Sequence, residues 1–169
     1  MKSNYRTIIL LGCFLVSTYF IGAEMRKFVN SSDVISFEFL WTEKKAQTLL
    51  SQPSWNLLDT NGHTKIERLR QNTYLDFLYL VSYCCLFLFL TRSLLGNRTE
   101  IISRLYKVFI VAALVDVIEN LCLLQVLSGS LFPYTFIMSA CASLKFGLLF
   151  IGLGGLIVSL VKIFLLKRR

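Results

Sequence analysis

The chain is poor in the residues that carry most soluble chemistry. Only 17% of its 169 positions are charged, there is one histidine, His63, and there are two prolines. Soluble domains carry roughly 25% charged residues, so a water-facing globular domain is excluded, as is a charged disordered chain. A lone histidine excludes a zinc site built on several imidazoles and a haem held by a histidine pair. The cysteines (Cys13, Cys84, Cys85, Cys122 and Cys141) are odd in number and all lie in apolar runs. That argues against a closed disulfide framework, because cysteine in such runs behaves as a small hydrophobe. No phosphate-binding glycine loop, Gly-x-Ser-x-Gly or His-Glu-x-x-His occurs. A calcium loop at Asp59, Asn61 and Gly62 fails, because Leu57 and Arg68 stand where oxygen ligands are needed. No metal and no cofactor is expected.

Apolar residues make up 55% of the chain, and its mean hydropathy is +0.62. They cluster into four runs, at about 7–23, 74–91, 108–127 and 133–166. Each is long enough to cross about 30 Å of hydrocarbon as a helix, and only helices satisfy their own backbone there. The expected fold is an all-α integral membrane four-helix bundle. A small, partly helical outer segment, 24–73, lies between the first two helices. Leu10-Leu11-Gly12-Cys13 loosely matches a lipoprotein cleavage box, but apolar chain continues to Ala23, so an uncleaved span is expected.

The formal charge of +8 is explained by the ends of the spans rather than by nucleic acid, which is not an expected partner. Lys2, Arg6, Arg92, Arg98, Arg104, Lys107 and the tail Lys167-Arg168-Arg169 fall on one side. The segment 24–73 holds seven basic and six acidic residues and falls on the other. The bias predicts both termini in the cytoplasm of a multi-pass protein of the cell membrane.

Within the outer segment, Ile35, Phe37, Phe39 and Trp41 alternate with Ser36, Glu38 and Leu40, which suits a short strand or extended stretch. Thr42 is placed to cap a helix reaching about Ser51, and Gln52-Pro53-Ser54 breaks it. Asn61-Gly62 is a turn signal. Thr64 and Glu67 have the spacing of a capping box, from which a helix could run unbroken into the second span. The fourth span is rich in glycine, and Ser143/Gly147 and Gly155/Ser159 have the spacing of close helix packing, more within the chain than between copies.

The most informative residues are the ionisable ones inside the runs. An aspartate at a span centre costs about 2.5–3.5 kcal/mol to insert, so Asp116 and Glu119 cost about 5–7, and the thirteen strongly apolar residues of their span offset about 4–8. That span needs neighbours to cover its acids. Asp116, Glu119 and Asn120 share one helical face, as do Asp76, Tyr79 and Tyr83 on the second span. Lys145 is the one basic residue well inside the fourth. Three carboxylates and one ammonium leave negative charge in excess, which is the pattern of a proton or cation site. Three readings follow: a site for a small ligand, lipid headgroup, proton or cation; a membrane enzyme using a carboxylate as acid or base on a lipid-like substrate; or an accessory subunit in which Lys145 pairs with Asp116 or Glu119 only to hold the bundle. Membrane lipid is the one partner all three share.

Asp76-Phe77-Leu78-Tyr79, Asp116-Val117-Ile118-Glu119-Asn120 and the lysine of the last span together resemble small uncharacterised four-span membrane proteins of bacteria. The resemblance implies a four-span topology and an inner-membrane location, and nothing about chemistry.

Overall fold

The computed structural model describes residues 5, 8, 9, 12–17, 19, 20, 23, 31–58, 61–95 and 99–167. Its bounded helices are α1 (Ser31–Glu38), α2 (Glu43–Leu50), α3 (Pro53–Asn56), α4 (Lys65–Leu95), α5 (Thr99–Leu127) and α6 (Tyr134–Lys167). No strand occurs among the described residues. Helices α4, α5 and α6 contain 31, 29 and 34 residues, about 46, 44 and 51 Å at 1.5 Å per residue. All three are long and apolar enough to cross a membrane. The expected bundle has four such helices; three meet the requirement among the described residues. The first expected span lies partly outside them, although 12–17 are helical.

Helix α5 is the centre of the bundle. It packs extensively on α6 and on α4, while α4 and α6 touch each other sparsely. Its inward face buries Leu105, Phe109, Ala112, Leu123 and Val126. The outward faces carry Leu78 and Val81 on α4, Leu114 and Leu121 on α5, and Phe150 and Ile157 on α6, all exposed. In water that surface would drive association; in a bilayer it is covered by lipid chains.

Glycine sets the approach of α6 to α5. A Cβ on Gly152 would lie 2.6 Å from the Phe109 ring, and one on Gly155 would lie 3.0 Å from Leu105. Gly147, also singled out by spacing, faces open space. Phe109 in turn stacks on Phe87 of α4, with centroids 4.8 Å apart. The hydroxyls of Ser143 and Ser159 donate to carbonyls of their own helix, at Ser139 and Gly155.

The described segment 31–58 folds as a cap on one end of this bundle. Its first element corrects the expectation of a strand: 31–38 is helical. Val34, Phe37, Glu38 and Trp41 follow the i, i+3, i+4, i+7 spacing of one helix face, and burial of Phe37 against Trp55, 5.7 Å between centroids, outweighs the local alternation. Three residues beyond α1, Trp41 has a left-handed backbone, φ 58°. Its N–H donates to the hydroxyl of Ser139 on α6 at 3.0 Å, and its ring meets Phe136 edge to face. Thr42 caps α2, accepting from the Lys45 N–H. Pro53 opens α3, where its missing N–H costs nothing. At the start of α4, Thr64 N–H donates to Glu67 Oε2 at 2.8 Å and Glu67 N–H donates to Thr64 Oγ1 at 3.2 Å. Helix α4 then continues without a break through the second apolar run. Arg70 donates to the Leu127 carbonyl, closing the free end of α5.

Candidate functional site

Between the apolar cap layer around Phe37, Leu69 and Val126 and the layer around Leu105, Phe109 and Leu156 lies a polar centre. Its core is Lys145 of α6. The ammonium donates to Asp116 Oδ1 at 3.0 Å and to Glu119 Oε1 at 2.9 Å. Glu119 Oε2 is in ion-pair contact at 2.8 Å but has no donor aligned on it. Tyr83 of α4 donates its hydroxyl to Asp116 Oδ2 at 2.8 Å. Asp116, Glu119 and Lys145 are 3%, 1% and 7% exposed, so the charges are desolvated and their geometry is fixed by one another. Charge-assisted contacts of this length are the strong kind, and losing one partner strands the other.

A second pair lies beside the first. Asn120 Nδ2 of α5 donates to Asp76 Oδ2 of α4 at 3.0 Å. Asp76 and Asn120 therefore tie α4 to α5, while Lys145, Asp116 and Glu119 tie α5 to α6. The sequence assigns Lys145 to Asp116 or to Glu119; the structure joins it to both. All seven residues singled out from the sequence (Asp76, Tyr79, Tyr83, Asp116, Glu119, Asn120 and Lys145) meet in this one region.

Next to the pairs is a cavity of about 360 Å³ between α4 and α6, reaching Asp116 on α5. Asp76, Tyr79, Tyr83 and Phe87 form its α4 wall. Lys145, Phe146 and Leu149 form its α6 wall, with Phe14 of the N-terminal helical residues closing a side and Glu38 of α1 closing an end. Glu119 and Asn120 are not part of the lining; they act from behind it. Five lining residues were not singled out from the sequence: Phe14, Glu38, Phe87, Phe146 and Leu149. The aromatic and leucine positions carry no mark that separates them from the other apolar residues of their runs. Glu38 was detectable, because a helical reading of 34–41 puts it beside Phe37 on the inward face.

Glu38 changes the charge balance. Its carboxylate faces Lys145, Asp76 and Asp116 electrostatically, yet no hydrogen bond to it occurs among the described residues. Burial holds its pKa above the ordinary carboxyl value; Lys145 pulls it down and Asp76 and Asp116 push it up. With Glu38 included, four carboxylates converge on one ammonium. Among the described residues no group of three or more His, Cys, Asp or Glu side chains is arranged to hold a metal ion.

The length and composition of α4, α5 and α6 mark the chain as a helical multi-pass membrane protein. Comparison with known families, with curated proteins and with solved structures found no match.

Proposed function

We propose that the cavity between α4 and α6 is an intramembrane site for positive charge, taking up a small cationic ligand, a lipid headgroup bearing an ammonium, or protons. The observation that carries this is the uneven pairing of its acids. Asp116 is satisfied on both oxygens by Lys145 and Tyr83, and Glu119 is held by Lys145. Asp76 has one oxygen occupied by Asn120, and Glu38 has neither. Uncompensated carboxylates in a low-dielectric site either bind a proton or attract a cation, and ionisable groups inside spans are functional candidates by default. The positive-inside bias supports an orientation with both termini in the cytoplasm and the α1–α3 cap outside.

A second reading is favoured by the Lys145 triad itself: an accessory subunit whose ion pairs only fix helix register. It accounts for Lys145, Asp116 and Glu119 and leaves Glu38 and the cavity without a role. The readings separate on proton exchange. Purified wild type in detergent, held at constant pH, should exchange protons when methylammonium is added. Asp76→Asn should fold to the same yield and lose that exchange. No exchange in wild type, with Asp76→Asn indistinguishable from it, would leave the accessory reading.

A further inference from the structure

The cavity is polarised along its length. Two of its three acids, Glu38 and Asp76, lie toward the cap, and the third, Asp116, is occupied by Tyr83 and Lys145 farther down. From there an aromatic ladder descends α4: Tyr79, Tyr83 and Phe87 recur at the four-residue spacing of one helix face. The ring centroids of Tyr79 and Tyr83 are 5.8 Å apart, those of Tyr83 and Phe87 are 6.2 Å apart, and Phe14 packs on Tyr79 at 5.5 Å. From Asp76 to Phe87 is about 16 Å at 1.5 Å per residue. Phe146 and Leu149 line the opposite wall.

A bare inorganic cation needs several oxygens converging on one point, and no such group occurs among the described residues. Such an ion would also leave the aromatic length of the cavity unused. The volume of about 360 Å³ lies within the range of roughly 300–1,000 Å³ typical of small-molecule sites, which combine apolar walls with a few placed polar groups. Ring faces attract organic cations, and carboxylates free of donors accept N–H groups.

Resting on the cation-site reading above, we propose that the cavity binds an organic ammonium ion with an apolar body, its N–H groups on Glu38 and Asp76 and its body along Tyr79, Tyr83 and Phe87. Lys145 is the positioning residue: it neutralises part of Asp116 and Glu119, so that the remaining negative charge is concentrated at the cap end.

The test uses two probes of nearly the same shape, 4-phenylbutylammonium and neutral 4-phenylbutanol, titrated calorimetrically into the full-length protein in detergent. The ammonium should bind saturably and the alcohol at least about tenfold more weakly, the worth of a charge-assisted contact. Glu38→Gln and Asp76→Asn should each weaken the ammonium about tenfold, with helix content unchanged by circular dichroism. Tyr79→Leu should weaken both probes. The comparison of probes on wild type needs no variant, so misfolding cannot imitate the result. Equal binding of ammonium and alcohol would overturn the proposal. Failure of the ammonium to bind, with methylammonium-driven proton exchange intact, would overturn it while leaving the cation site standing. Failure of both would remove the cation site as well.

Discussion

Glu38 on α1 and Asp76 on α4 line the same cavity, and neither accepts a hydrogen bond from Lys145, whose ammonium is committed to Asp116 and Glu119. The polar centre thus divides into a structural part and a part with spare negative charge. The predictions below separate the two.

Glu38 should cost stability at neutral pH. Burial raises its folded-state pKa above the ordinary value of 4.5, so the folded chain favours the protonated carboxyl. Below that ordinary value both states are protonated and the shift costs nothing. As pH rises through it, the unfolded carboxyl ionises first and stability falls, until the folded carboxyl ionises too. Glu38→Gln should therefore melt above wild type at pH 7, and the two should converge in acid. Thermal unfolding followed by tryptophan fluorescence across that range checks this.

Lys145→Met should be severely destabilising, by about 3–5 kcal/mol, because two desolvated carboxylates lose their common counter-charge. Adding Glu119→Gln should recover part of the loss by removing one of those charges. The double variant and both single variants form a cycle, read by denaturant unfolding in mixed micelles.

The glycines of α6 should not be equivalent. Gly152→Ala drives a methyl into Phe109, which is fully buried and stacked on Phe87, and overpacking of this kind costs about 1–3 kcal/mol. Gly147→Ala meets open space and should be neutral or mildly stabilising, since alanine is the better helix former. Melting temperatures of the two variants decide it.

The start of α4 should loosen in acid. The Thr64 N–H bond lowers the pKa of Glu67, helped by the Thr64 hydroxyl and His63. A lowered carboxyl contributes stability above its unfolded value, and that contribution is lost as pH falls through the folded one. Amide protection at Thr64 and Glu67 should drop in that acid range, and Glu67→Gln should abolish the pH dependence.

Much of this arrangement is legible in the residues. Three long helices follow from the apolar runs, and the capping pairs at Thr42 and Thr64 mark helix starts correctly. The unfavourable insertion of Asp116 and Glu119 calls for a partner, and Lys145 is the one candidate at a matching depth. Glu38 is legible only under the helical period, because 35–41 satisfies two periods at once. Alternation of Ile35, Phe37, Phe39 and Trp41 suits a strand, while Val34, Phe37, Glu38 and Trp41 suit a helix. The choice is made by tertiary contacts, of Phe37 on Trp55 and of Trp41 on Ser139 and Phe136, which no local pattern contains. The cavity was hidden for a related reason. Its aromatic walls draw on three separate segments, and an aromatic residue in a membrane run reads the same whether it faces lipid or a ligand.

The most direct test of the central claim, that Glu38 and Asp76 hold positive charge in the cavity, is native mass spectrometry of the gently purified protein beside the double variant Glu38→Gln/Asp76→Asn. The account predicts a retained cationic species on wild type that is absent from a double variant with the same helix content and an equal or higher melting temperature. A wild type and a double variant that carry the same retained species, or a double variant that loses its fold along with it, would contradict it.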